Sequence, residues 1–221
     1  QEGITKILAG VKKYGTLAEF SLASLLKDLL PTSQFISNVK MKEDTSENVE
    51  FAIKLQEDVL VPVDSHFPVE KFKAIDDAHQ ADDKKAMADA RTKLAKAFKD
   101  KAKNVNEKYI VPPKTTDFGI VYAPTESLYK ELTDYQDPST KELLTQELMK
   151  KYKIVIMGPN TLSAYLQSLH MGFQSLKVQK GATEIYDHLK TISTRFTKHF
   201  DNVIILRKKL EEAMKVVDQF G

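Results

Sequence analysis

The 221-residue chain contains no cysteine. Disulfides, cysteine-ligated zinc and thiol nucleophiles are therefore excluded, and the composition fits a reducing compartment. Long apolar runs are also missing: nothing approaches the roughly 18 consecutive apolar residues that a membrane-spanning helix needs. The opening residues Gln1-Glu2-Gly3 include no methionine and lead into no cationic-then-apolar run of the kind that marks a signal peptide. The expectation is a cytoplasmic domain cut from a longer parent, with any membrane anchor lying upstream. Neither sign of charge dominates, since 33 basic and 31 acidic side chains leave a formal net charge of +2. Contact with a polyanion would thus have to come from local patches. What is present is an ordinary globular mixture, 42% apolar and 29% charged, in a chain long enough to bury a core.

Periodicity divides the chain into short strands and longer helices. Ala18, Leu22, Leu25, Leu26 and Leu29 recur at helical spacing before Pro31, which predicts an amphipathic helix over about 16–30. Glu19 borders its buried face. Three segments of strand character follow, Phe35–Met41, Val49–Leu55 and Val59–Asp64, and the short gap at Gln56–Asp58 predicts an antiparallel hairpin between the second and third. Pro62 within the third strand suggests an edge position or a bulge. A charged, alanine-rich helical stretch runs from Pro68 to about Lys108. Later strands are expected at Asp117–Ala123 and Lys153–Met157, with helices after Pro124, after Pro138 and from Gly158-Pro159. Beyond a break at Gly181, Ile185, Leu189, Ile192, Phe196, Val203, Leu206, Leu210, Ala213 and Val217 alternate four and three apart. His199 takes the skipped position. This spacing predicts a long helix with a coiled-coil-like seam through which copies of the chain would associate.

The strongest chemical candidate lies on the strands. Alternation puts Glu50, Ala52 and Lys54 on one face and Phe51 and Ile53 on the other, while Pro62, Asp64 and His66 oppose Val61 and Val63. In a suitable hairpin register Glu50, Asp64 and His66 converge, with Glu19 as a further member. Carboxylate oxygens suit Mg²⁺ or Mn²⁺, and a cation so held can activate water against a phosphodiester. Solvated strand carboxylates would give the same pattern.

The ordered blocks narrow the choice. Val61-Pro62-Val63-Asp64-Ser65-His66-Phe67-Pro68 resembles an RmuC-family signature in which an apolar strand ends in Asp-Ser-Lys followed by an apolar residue and proline. Asn48–Leu55 resembles the strand before it, Gly15 and Glu19 a glycine-containing helix start with its acid, and Tyr122-Ala123-Pro124-Thr125-Glu126-Ser127-Leu128-Tyr129 a further block. Gly158-Pro159-Asn160-Thr161-Leu162 and Met171-Gly172-Phe173 resemble two more. The resemblance implies an α/β fold of the PD-(D/E)XK superfamily: a restriction-endonuclease-like mixed sheet core with helical insertions and a long C-terminal helix. It places a single domain over the chain, with the core at about 14–80 and 115–175, a helical insertion at about 80–112 and the last helix at about 182–219. It further implies a DNA endonuclease-like role in recombination and a membrane anchor and coiled coil upstream. By the same resemblance Glu50 and Asp64 bind Mg²⁺ or Mn²⁺, and Glu19 assists. The superfamily lysine two residues after the second carboxylate is here His66, which is shorter and mostly neutral at pH 7. Lys40 and Lys54 are candidate substitutes from neighbouring strands.

Among the lysines between 84 and 108, Lys85, Lys96, Lys99 and Lys103 fall near one helical stripe and are candidate phosphate contacts, against the alternative of a solvated face. Glu126 reads as a helix cap or brace. Gly158-Pro159-Asn160-Thr161 lacks the second glycine and the lysine of a P-loop, so a nucleotide cofactor is not expected. Two other roles remain open beside the nuclease: a catalytically degenerate DNA-binding module, and a helical self-assembly scaffold.

Overall fold

In the computed structural model, which describes residues 11–42 and 47–218, the chain forms a five-stranded mixed sheet, six α-helices and short connecting turns. Helix α1 (Val11–Leu29) leads into β1 (Phe35–Lys40), β2 (Asn48–Lys54) and β3 (Leu60–Ser65). Then come α2 (Val69–Gln80), α3 (Lys84–Tyr109), β4 (Gly119–Tyr122), α4 (Glu126–Asp134), α5 (Leu144–Tyr152), β5 (Ile154–Met157) and α6 (Pro159–Asp218). The strands lie in chain order; β1, β2 and β3 pair antiparallel, and β3, β4 and β5 pair parallel. Parallel pairing requires crossovers, which α2 with α3 and α4 with α5 provide.

Alternation along the strands builds two apolar layers. Phe51, Ile53, Val61, Val63, Ile120 and Tyr122 pack with Leu22, Leu26 and Leu30 after the α1 stripe, and with Leu162 and Leu166 of α6. On the opposite face Val121, Ala123, Ile154 and Ile156 meet Leu94, Phe98, Ala102 and Val105 of α3, Leu128 and Leu132 of α4, and Leu144 and Leu148 of α5. Helix α3, expected as part of an insertion, therefore supplies core. The chain divides into two compact units between His170 and Met171.

The predicted hairpin is present. β2 and β3 are antiparallel, with Phe51 against Val63 and Ile53 against Val61, and the turn between them holds Glu57 and Asp58 at φ 55° and 59°. Pro62 sits in a central strand, not at an edge. Leu60 bridges Thr115 and Val63 pairs with Ile120, so the segment leading into β4 carries two more residues than β3 between these points, opposite the proline. The Pro62 ring lies 3.3 Å from where a Cβ on Gly119 would stand, so the absent side chain makes room for it.

Two helical expectations change. The stretch from Pro68 to Lys108 is two helices, because Asp82 turns at φ 51° and Asp83 caps α3 by accepting from the Lys85 and Ala86 backbone N–H groups at 3.0 and 2.9 Å. Conversely, Gly181 does not break the chain, and α6 runs through both Gly172 and Gly181. A lone glycine costs only about 1 kcal/mol within a helix, and its neighbours are good helix formers. Of the predicted seam, the side chains of Ala213 and Val217 lie outside the described residues.

Candidate active site

The hairpin register that pairs Phe51 with Val63 sets Glu50 against Asp64 one step further along. Both carboxylates belong to the sheet face covered by α3. Burial is thorough at Asp64, which is 4% exposed. A carboxylate so placed needs a partner, and Lys101 of α3 provides one, its Nζ 2.6 Å from Asp64 Oδ2. The Ser65 backbone N–H donates to Glu50 Oε2 at 3.0 Å, which fixes the Glu50 side chain along the strand ends.

Electrostatics couples the two acids. Burial, reinforced by the Asp64 carboxylate, pushes the Glu50 carboxyl up to about 8, against the lowering effect of the Ser65 hydrogen bond. Glu50 is therefore mainly protonated at neutral pH in the metal-free protein. Tyr109, at the end of α3, is pushed up to about 12 by burial and by the negative charges of Asp64, Glu47 and Glu50; its hydroxyl donates to the Asn48 carbonyl oxygen at 3.0 Å.

His66 follows the strand end and turns toward α3. Its backbone N–H donates to the Tyr122 carbonyl at 3.0 Å, and its ring meets Phe98 edge-on with centroids 4.9 Å apart. Burial, with the cations of Lys101 and Lys71, pulls the imidazole down to about 4. His66 is consequently neutral at pH 7 and does not supply a fixed positive charge.

Of the residues expected at the site, Glu50 and Asp64 come together, whereas the His66 ring turns to Phe98 and the wall between α2 and α3. Glu19 does not join them: it is exposed on α1, whose core stripe packs on the other face of the sheet. Among the described residues no three His, Asp or Glu side chains are grouped as a metal site, so the carboxylates stand as a pair. Among the described residues Lys40 and Lys54 form no ion pair with either acid, and Lys101 pairs with Asp64. The expected lysine stripe is divided. Lys99 is held by Asp137 and Glu147 at 3.3 and 2.7 Å, and Lys103 lies 3.9 Å from Glu107. Lys85 is exposed near the start of α3. Lys96 borders a cavity of about 450 Å³ together with His66, Lys71, Lys93, Asp100 and Lys101.

Glu126 braces the blocks around it. Its Oε1 accepts from the Asn160 backbone N–H at 2.7 Å, so it caps α6 and not its own helix, which Thr125 caps through Leu128 N–H at 3.2 Å. The Tyr122–Tyr129 and Gly158–Leu162 blocks are thereby joined beside the parallel strands.

Comparison with known proteins agrees with this arrangement of blocks. The family model described as RmuC family matches residues 1–221. A protein named DNA recombination protein RmuC homolog from Xylella fastidiosa (strain Temecula1 / ATCC 700964) is 33% identical over 224 residues, covering 99% of this chain and 46% of that protein. The homolog of the same name from strain 9a5c matches to the same extent. The chain thus spans about half the length of these relatives. No solved structure matches it significantly. With the family model covering every residue and the relatives aligned along almost the whole chain, the protein belongs to the RmuC family.

Proposed function

We propose that this domain is a metal-dependent DNA endonuclease-like module of the PD-(D/E)XK type, acting in recombination. One observation carries the reading: Glu50 and Asp64 face each other on adjacent strands, with the Lys101 ammonium on Asp64. The names of the Xylella relatives support the biological setting.

The donor set fits Mg²⁺ or Mn²⁺. Such ions are commonly held by one or two carboxylates, the rest of the shell being water and phosphate oxygens, so a pair is a sufficient protein contribution. Burial first, and the neighbouring Asp64 carboxylate second, raise the Glu50 carboxyl, and a bound cation would oppose both by favouring the ionised form. Bound there, the ion supplies an activated water and offsets phosphodiester charge. The chain's own groups do the remaining work. Ser65 N–H orients Glu50, and Lys101 places a positive charge on Asp64, a role for which the family pattern uses a lysine two residues after the second acid.

Linear, branched and single-stranded DNA incubated with Mg²⁺ or Mn²⁺ should be cut. Asp64→Ala should lower the rate at least ~100-fold, and Lys101→Ala by a comparable ~10²–10³-fold, the usual effect of removing one charge-stabilising group. Cleavage that survives Asp64→Ala overturns the assignment. A second reading, a degenerate DNA-binding module, is favoured by the buried, neutral His66 at the lysine position. It predicts salt-sensitive binding with no products under either metal.

A further inference from the structure

Beside the carboxylate pair, between α2 and α3, lies the cavity of about 450 Å³. Its wall holds Lys71 from α2 and Lys93, Lys96 and Lys101 from α3, against a single carboxylate, Asp100. Four lysines of α3 have acidic partners: Lys99 with Asp137 and Glu147, Lys101 with Asp64, Lys103 with Glu107, and Lys108 with Glu47, while Lys84 and Lys85 at its start have none among the described residues. Among the described residues, Lys71, Lys93 and Lys96 take part in no ion pair. Three like charges gathered around one concavity repel each other unless an anion completes it. His66 lines the same cavity.

We propose that this cavity binds the terminal phosphate of a nucleic-acid strand, held by Lys71, Lys93 and Lys96. A phosphomonoester carries nearly two negative charges and three strong acceptor oxygens, which matches several ammonium groups better than a monoanionic diester or a carboxylate does. The volume is of the size that small-molecule sites have, leaving room for the nucleoside behind the phosphate. Lys101 borders the cavity and also contacts Asp64, so a strand end seated here runs past the acid pair. The identity of the polymer rests on the proposed DNA reading, whereas the preference for a phosphomonoester rests on the cavity alone.

Fluorescence anisotropy on the full chain, with EDTA present so that no cleavage occurs, separates these terms. The probes are one labelled single strand ending in 5′-phosphate, in 3′-phosphate or in hydroxyls only, with inorganic phosphate and deoxyadenosine monophosphate as competitors. One phosphorylated strand should bind at least ~10-fold more tightly than the hydroxyl-ended strand, the effect of one well-placed charged contact. The preference should vanish in Lys93→Ala/Lys96→Ala and in Lys71→Ala, and persist in Lys93→Arg/Lys96→Arg. The preference is read in EDTA without cleavage, so failure of the nuclease reading leaves this result standing. Equal binding of all three strands overturns the proposal, as does a preference that survives the alanine variants. Competition by inorganic phosphate at the same concentration as the strand would assign the cavity to free phosphate and overturn the strand-end assignment.

Discussion

Lys101 occupies a position whose neighbours are apolar. Leu94, Phe98 and Val105 are buried along α3, and Lys101 lies seven residues after Leu94 and three after Phe98, on or beside the same stripe. A charge on a core-facing stripe is a legible signal of a buried counter-charge, yet a scan for lysines near Asp64 in sequence favours Lys40 and Lys54. The partner is 37 residues away because a parallel crossover intervenes, and periodicity does not report which strand a helix covers. The nearness of Glu50 and Asp64 was legible because the hairpin is local and its turn fixes the register. Glu19 was not separable from them by sequence, since strand and helix alternation say nothing about which sheet face the helix takes. The two shifted groups give the site a pH signature. For Glu50 the folded value of about 8 lies above the ordinary 4.5, so the folded state holds the proton more tightly and stability declines as pH rises from 4.5 toward 8. For His66 the folded value of about 4 lies below the ordinary 6.5, so stability declines as pH falls from 6.5 toward 4. The two slopes oppose each other between 4.5 and 6.5, and above 6.5 only the Glu50 slope remains. Urea melts from pH 4 to 9 on the metal-free protein should show Glu50→Gln gaining roughly 1–2 kcal/mol on wild type at alkaline pH, a figure discounted for the partial exposure of Glu50. His66→Gln should flatten the acid limb. Parallel curves for Glu50→Gln and wild type above pH 7 would remove burial as the cause of the raised carboxyl.

Among the elements, glycines show where sequence punctuation carries information and where it does not. Gly158 ends β5, and a Cβ there would stand 2.8 to 3.0 Å from ring and Cβ atoms of Tyr129. The close approach brings α4 against the start of α6, where Glu126 caps Asn160. Gly181 has the same one-letter signal with a different physical content: nothing lies within 4 Å of its Cβ position, and the helix continues. Reading Gly158-Pro159 as a helix start succeeded because proline adds its own preference for the first turn. Reading Gly181 as a break failed because glycine alone lowers helix propensity without forbidding the helix. The division at Asp82-Asp83 was hidden in a charged, alanine-rich run whose composition favours helix on both sides. Gly158→Ala should destabilise the protein by about 1–3 kcal/mol through overpacking on Tyr129, measured by thermal or urea unfolding. Gly181→Ala should be neutral to stabilising by about 0.5–1 kcal/mol, since a helical backbone accepts alanine without strain. Equal effects at the two positions would show that the Tyr129 contact does not limit the first.

At the scale of the molecule, two kinds of surface stand out among the described residues: the basic cavity and the apolar seam of α6. Ile185, Leu189, Ile192, Phe196, Val203, Leu206 and Leu210 are between 48% and 62% exposed. Isolated apolar residues on a surface need no explanation, but a run repeating every four and three residues does. Leu189, Phe196, Val203 and Leu210 fall on one heptad position, and Ile185, Ile192, His199 and Leu206 on the other, which is the pattern of a helix that buries a seam against a like helix. The repeat holds its register over more than three heptads, and a second copy of the chain supplies the identical seam. Each such side chain removed from water contributes on the order of 1.5 kcal/mol or more, enough in sum to outweigh the entropy of association. In such an assembly His199 would interrupt the seam and lower its affinity below that of an all-apolar repeat, because a buried imidazole loses water contacts without packing as leucine does. Sedimentation equilibrium should therefore show mass increasing with concentration. Phe196→Asp should return the protein to a monomer, and His199→Leu should tighten association about 10-fold or more, a gain of roughly 1.4 kcal/mol. A monomer at every concentration, or association unchanged by Phe196→Asp, would leave the seam to a different partner. Self-association would also place more than one carboxylate pair and more than one basic cavity in each assembly, so a seam variant that becomes monomeric should bind long DNA more weakly than short strands predict, through lost multivalency.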